Sequence, residues 1–350
     1  MEIHVVERNG SMVVLLDDDM TIVKPVYNYL KFQKQKDRAI NTLKAQGTDL
    51  KIFWEFLKHN GLNYKEVTPK TIAMFIDYLR SDEDDFLGIN VASARTPKTI
   101  NRILSSVHGF YQYQADMEEL DNPMLSHEVN RPQSMFKELL YHARKDNKTT
   151  QSIFKIKESD YKVHLVTDAE MEAVLSRLTK KRDILLYKML FLTGARIQEI
   201  LDLEMESIPI PDTSKQVGLL EQIKSKGKYR DLYVPMSILV ELDDFILNER
   251  QLIDTDHSYI FVSEQKQNLG KQLTYSAAYD KLKKIQADAG VDFNFHDLRH
   301  TFNSNLAEAG MDISLRRLIM GHEHISTTEH YTHLSNKYLE DSLANYWSNK

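Results

Sequence analysis

Two hydrophobic periodicities divide the chain. Near its start, Val5-Val6-Glu7-Arg8-Asn9-Gly10-Ser11-Met12-Val13-Val14-Leu15-Leu16 sets two runs rich in β-branched residues around Asn-Gly. Asn-Gly supplies the two positive φ values of a type I′ turn, so the stretch predicts a hairpin over residues 1–20. A lone hairpin is marginal and must pack on something. From Lys24 the apolar positions recur at helical spacing. Leu43, Leu50, Phe53, Trp54 and Leu57 form one stripe, with Gly47 as a break between two helices and Asn60-Gly61 as a stop. Thr68-Pro69 and Thr96-Pro97 each place a threonine cap before a proline at the first helical position. Ile72, Phe75, Ile76 and Leu79 follow the first; Ile100, Ile103, Leu104, Val107, Phe110 and Tyr111 follow the second. Asp121-Asn122-Pro123 closes this group, and one more short helix is expected over 133–143. The net basic, polar stretch 146–165 then reads as a linker between a helical domain, 21–145, and a second domain, 166–350.

The second domain opens on a capping box, Thr167-Asp168-Ala169-Glu170. Ile184 to Leu192 is a buried helix stopped by Thr193-Gly194. Strands are expected over 217–223, 229–234 and, more briefly, 259–262, and 275–289 is an amphipathic helix. The predicted fold class is mostly α with a small β-sheet.

Length and composition add limits. At 350 residues two domains are expected. No apolar run approaches the roughly 20 residues of a membrane span. The cysteine count of 0 excludes disulfides and thiolate metal sites and fits a reducing cytoplasm. The net charge of −6 argues against a uniformly basic nucleic-acid surface but leaves room for a local basic groove. Acidic residues bunch at Asp17-Asp18-Asp19 and Asp82-Glu83-Asp84-Asp85, which read as solvated loops. Lys70, Lys98 and Arg102 sit beside the two Thr-Pro helix starts. Bare N–H groups with adjacent cations suit phosphate, although a solvated polar face is the plainer reading.

The candidate chemistry lies in the second domain. Arg196 follows a glycine turn and precedes an apolar stripe, so it points into a cleft or forms a buried ion pair with Glu199. Lys224-Ser225-Lys226-Gly227-Lys228 is a basic turn between two strands, by itself an ordinary solvated hairpin tip. His296, Arg299 and His300 share one helix face. Tyr331 stands among His322, His324, His330 and His333. A tyrosine hydroxyl, with a pKa of about 10, needs surroundings that take its proton or charge before it can act as a nucleophile. A zinc site from His296, His300 and the later histidines is disfavoured, because Arg299 shares the face and no glutamate stands at zinc-peptidase spacing.

Taken in order, Thr193-Gly194-Ala195-Arg196, Glu199, the lysine turn, His296-Asp297-Leu298-Arg299-His300 and Gly321-His322 followed by Tyr331 resemble the tyrosine recombinase (phage integrase) family. Thr96-Pro97-Lys98-Thr99 and Asn122-Pro123 resemble that family's core-binding domain more weakly. The resemblance implies an N-terminal helical, SAM-like core-binding domain and a C-terminal catalytic domain. It assigns Arg196, Lys226, His296, Arg299, His322 and Tyr331 as catalytic, Glu199 as supporting, and Lys70, Lys98, Arg102 and Lys228 as DNA-binding; Lys224 and Lys228 compete with Lys226 for the hairpin role. It implies DNA strand exchange through a 3′-phosphotyrosyl link, with no cofactor and no metal. Its partners would be double-stranded DNA carrying a specific recombination site and a homotetramer on two duplexes, with room for an accessory directionality factor. The expected setting is bacterial, cytoplasmic and nucleoid-associated, without a membrane. The amphipathic tail through Leu339, Leu343 and Trp347 either packs on its own domain or exchanges into a neighbouring subunit. Within and beside the family, the alternatives are integration or excision of a mobile element, Xer-type dimer resolution, a type IB-like topoisomerase and a silent DNA-binding regulator.

Overall fold

The computed structural model describes residues 1–6, 11–80, 95–118, 120–130, 148–158, 163–225, 227–321 and 336–348. Among the described residues it is mostly helical with three two-stranded antiparallel sheets, and the chain divides into Met1–Asp160 and Tyr161–Lys350.

In the first unit, β1 (Glu2–Val6) pairs with β2 (Met12–Leu16), Val5 opposite Val13. The expected hairpin is present, and its turn, Asn9-Gly10, lies outside the described residues. α1 (Lys24–Gln35), α2 (Ile40–His59), α3 (Pro69–Arg80) and α4 (Pro97–Glu118) surround an aromatic core. Phe53 meets Phe75 edge-on at 4.9 Å, and Trp54 meets Phe110 at 5.1 Å. Thr68 and Thr96 cap α3 and α4, each hydroxyl accepting an N–H three residues on at 3.3 Å.

Gly47 does not break the helix, as its sequence position suggests. α2 runs through it unbroken, and Gly47 is buried under the hairpin. A Cβ there would stand 3.1 Å from Val13 Cγ1 and 3.3 Å from Ile3 Cδ1. The missing side chain lets the β1–β2 pair lie against α2 and supplies the packing that a lone hairpin lacks. Gly47→Leu is expected to lower stability by about 2–3 kcal/mol by overpacking this contact; an unchanged denaturation midpoint would show that the hairpin does not seat there.

The acidic run at 17–19 is a surface turn, as expected, with Asp18 and Asp19 exposed, and Lys58 Nζ bridges Asp17 and Asp18 at 2.8 and 2.6 Å. The linker expected over 146–165 needs a correction. β4 (Lys148–Ser152) pairs with β3 (Ser126–Asn130), and Phe154 and Ile156 pack on the first unit's core. Asn101 locks this segment to α4, donating to Ile156 O and accepting from Ile156 N–H, both at 2.9 Å. The helix expected over 133–143 and the acidic stretch 82–85 lie outside the described residues.

The second unit begins with the predicted capping box: Thr167 and Glu170 exchange bonds at 3.2 and 2.8 Å before α5 (Asp168–Leu175). α6 (Lys181–Thr193) is buried on most sides. The short α7 (Ile197–Leu201) follows, and then β5 (Val217–Ser225) pairs with β6 (Lys228–Pro235), Ser225 opposite Lys228, with a register shift between Leu220 and Ile223. α8 (Met236–Asn248), α9 (Tyr275–Ala289), α10 (Phe295–Glu308) and α11 (Ile313–Met320) complete the core.

The strand expected over 259–262 is instead a buried connection with two isolated bridges, Glu204 to Tyr259 and Val262 to Gln272. Its neighbours are loops, so no ladder extends. Buried Arg250 stitches it in place, donating to Tyr259 O at 2.7 Å, Ile253 O at 3.0 Å and Thr255 Oγ1 at 2.8 Å. The tail forms α12 (Asn336–Ser348) and packs on its own unit. Leu339 and Leu343 are buried against Phe302, Leu306, Leu315 and Ile319, and Trp347 Nε1 donates to Leu192 O at 3.1 Å. Among the described residues no helix is long and apolar enough to cross a membrane.

Candidate active site

Two helix ends and the β5–β6 hairpin meet in the second unit. α6 ends at Gly194, whose φ of +60° is the left-handed geometry a glycine cap supplies. Its missing side chain also makes room: a Cβ there would lie 2.5 Å from the Phe302 ring. Thr193 braces the turn, donating to Met189 O at 2.6 Å and accepting from Ala195 N–H at 3.2 Å. The chain then enters α7 with Arg196 as its cap residue. Arg196 N–H donates to Glu199 Oε2 at 2.8 Å, and its Nη1 donates to Glu199 Oε1 at 2.8 Å and Ser225 Oγ at 3.0 Å. Of the two alternatives the sequence leaves for Arg196, the ion pair with Glu199 is present, with Glu199 buried and Arg196 partly exposed.

α10 supplies the second arginine. Asn294 and Asp297 cap this helix, Asn294 N–H donating to Asp297 Oδ2 at 2.8 Å. The aspartate of His296-Asp297-Leu298-Arg299 is therefore the third residue of the helix and closes its capping box with Asn294. Arg299 is buried. Its Nη1 donates to Gly194 O at 2.7 Å and its Nη2 to Met320 O. α11 ends at Gly321, again left-handed at φ +61°. The arginine thus receives carbonyls from the C-termini of α6 and α11, where the helix dipole is negative and carbonyls lack helical partners.

Glu199 is the carboxylate of the cluster. Burial pushes its pKa up, but the hydrogen bond and charge of Arg230 and the bonds from Ser225 and Arg196 N–H outweigh burial and hold it at about 2. Ser225 Oγ donates to Glu199 Oε1 at 2.5 Å. Arg299 is lowered to about 10 by burial first, then by the charges of Arg196 and Arg230, with Glu199 opposing. It remains a full cation at neutral pH.

The depressed carboxylate fixes a sign. Its ion pairs stabilise the fold above the usual value of 4.5 and are lost as pH falls toward about 2. Glu199→Gln is expected to melt well below wild type at neutral pH, since breaking a buried pair costs about 3–5 kcal/mol. That gap should narrow as the medium is acidified below about pH 4.5; a gap that widens in acid would contradict the assignment.

Of the other residues singled out in the sequence, His296 and His300 are exposed on α10, their rings 6.1 Å apart. Lys228 is exposed at the start of β6. Lys226, His322 and Tyr331 lie outside the described residues, as do His324, His330 and His333. In the first unit Lys70 and Lys98 are exposed in the first turns of α3 and α4. Arg102 is half-exposed but tied by Nη1 to buried Asp49 Oδ2 at 2.8 Å, which also accepts from Ser106 Oγ at 2.7 Å.

Sequence reading missed Arg230. Its Nη2 donates to Glu199 Oε2 at 2.7 Å and its Nη1 to Ile319 O at 2.8 Å. Alternation along β6 was the available signal: Arg230 shares parity with Leu232 and Val234, both buried, so a charged residue at that position faces inward.

These motifs, in this order, thus carry a buried carboxylate paired with Arg196 and Arg230, and Arg230 and Arg299 grip helix C-termini. The chain belongs to the phage integrase family: the family's catalytic model matches residues 165–337, and the model of its N-terminal SAM-like domain matches residues 27–117. Transposase A from transposon Tn554 of Staphylococcus aureus is 25% identical over 356 residues, covering 99% of this chain and 98% of that protein. Tyrosine recombinase XerC of Staphylococcus haemolyticus is 25% identical over 328 residues, covering 91% and 94%. Among solved structures, the XerH site-specific recombinase bound to palindromic difH substrate shares the fold at a TM-score of 0.57 and 19% identity, over 93% of this chain and 88% of that one. The Tn1549 transposon integrase in complex with circular intermediate DNA gives 0.57 and 17%, over 91% and 98%.

Proposed function

We propose that this chain performs site-specific recombination of double-stranded DNA as the integrase or transposase of a mobile element. The convergence of Arg196 and Arg299 beside Glu199 carries the reading. Cleavage of a phosphodiester passes through a pentavalent transition state with negative charge on the non-bridging oxygens. Two guanidinium forks match those oxygens and keep their charge.

In this reading Tyr331 Oη attacks the scissile phosphorus, a phosphotyrosyl bond forms, and the bond to the 5′-oxygen breaks. His296 accepts the tyrosine proton, Lys226 protonates the departing 5′-oxygen, and His322 donates to a non-bridging oxygen. Attack by a 5′-hydroxyl from a second strand reverses the step, so bond energy is conserved and no nucleotide triphosphate is needed. Lys70, Lys98, Arg102 and Lys228 hold flanking phosphates. Assembly as a homotetramer on two duplexes, with α12 leaving its packing on its own unit to exchange between subunits, and an accessory directionality factor belong to the same proposal.

The similarity to transposase A over nearly the whole of both chains supports the mobile-element reading, and the XerC alignment keeps chromosome-dimer resolution as a second one. Trapping on nicked duplexes that lose the 5′-leaving fragment tests both. A protein–DNA adduct stable to denaturation is expected, and the mass of the native complex gives the subunit number. Element ends in the trapped DNA support integration; a chromosomal dimer site supports resolution; no adduct on any duplex refutes the enzymatic reading.

A further inference from the structure

The guanidinium of Arg230 joins two parts of the site. Its Nε and Nη2 donate to Glu199 Oε1 and Oε2 at 3.2 and 2.7 Å, and its Nη1 donates to Ile319 O at 2.8 Å. It therefore ties the α7 turn that carries Arg196 to the last turn of α11. Gly321 lies against its stem: a Cβ there would stand 2.6 Å from Arg230 Cδ. The chain leaving α11 toward His322 crosses this arginine at a position with no side chain. Arg299 takes the adjacent carbonyl, Met320 O, so two guanidiniums grip consecutive carbonyls at one helix end.

We propose that Arg230 is a positioning residue for DNA cleavage: it sets the Glu199 carboxylate against Arg196 and fixes the helix end from which the chain runs to His322. The proposal rests on the recombinase reading above. Arg230 is committed to protein groups, the carboxylate and a carbonyl, and acts through Arg196 and the Gly321 turn. A lysine cannot replace it, because one ammonium nitrogen at the end of a flexible stem lacks the planar fork that spans both acceptors.

The arrangement also predicts a pH signature. Glu199 is faced by Arg196 at the start of its own helix, by Arg230 from β6, by Arg299 from α10 and by neutral Ser225 from β5. Without Arg230, burial pushes the carboxylate upward against a weaker set of donors, so its ionisation moves toward the working range.

The test is single-turnover cleavage of a nicked duplex of the sequence trapped by wild type, at saturating protein and across about pH 5 to pH 8, alongside duplex affinity and thermal melting. Arg230→Gln is expected to cleave about a hundredfold more slowly, the scale set by displacing reacting groups by an ångström, with affinity unchanged. Its rate should fall further on the acid side. Arg230→Lys should recover the wild-type pH profile, since a cation again faces Glu199, but not the rate. If Arg230→Gln does not fold, Arg230→Lys decides: slow cleavage with wild-type affinity supports the role, and wild-type cleavage overturns it. Full-rate cleavage by Arg230→Gln, or a loss confined to affinity, overturns it as well. A wild type that forms no adduct overturns the recombinase reading itself, whereas an active wild type with an equally active Arg230→Gln overturns the positioning role alone.

Discussion

Tyr331→Phe is expected to bind the recombination site as wild type does and to form no covalent adduct. The substitution removes one oxygen and leaves the ring, so DNA contacts and packing are nearly conserved. In the proposed scheme the reaction loses its nucleophile, and the histidine and lysine nitrogens of that scheme serve proton transfer. The loss should therefore be complete within detection. A denaturing gel reads it directly, and a shifted band from the phenylalanine variant would move the nucleophile elsewhere in the chain.

Arg299→Lys is expected to lose roughly a thousandfold in cleavage rate, the equivalent of about 3–4 kcal/mol for removal of one preorganised donor. The structure gives two reasons beyond charge. Arg299 spans Gly194 O and Met320 O with separate nitrogens, and a single ammonium cannot hold both with the same geometry. The surroundings that bring arginine down to about 10, burial above all, would pull a lysine toward neutrality, since lysine starts near 10.4. Residual activity should then decline as pH rises and the lysine loses its proton. Single-turnover rates across pH, with affinity measured in parallel, check this; wild-type rates at every pH would show that neither the fork nor the permanent charge is needed.

Most of the secondary structure was legible because caps and periodicity are local. Thr68, Thr96 and Thr167 announced helices that begin where expected. Arg196, Glu199 and Arg299 were legible because each lies in a short contiguous motif. The misreadings share a cause, contact with something distant in sequence. Gly47 reads locally as a breaker, and the hairpin that needs its space lies some thirty residues away. The stretch after Lys148 reads as linker by composition, while two apolar anchors, Phe154 and Ile156, bind it to the first core. Residues 259–262 have strand composition but loops for neighbours. Arg230 sits in an ordinary strand, and only its partners, from α7 and α11, give it meaning.

The groups that receive Arg230 and Arg299 at the end of α11, and Arg299 at the end of α6, are main-chain carbonyls of Ile319, Met320 and Gly194. Every amino acid carries that oxygen. The side chains at 319 and 320 answer to the core they pack in, while the guanidiniums require only that the helix still end at the same turn. The burden of sequence fidelity falls on the arginines and on Gly194 and Gly321, whose φ values and missing Cβ atoms shape the two turns.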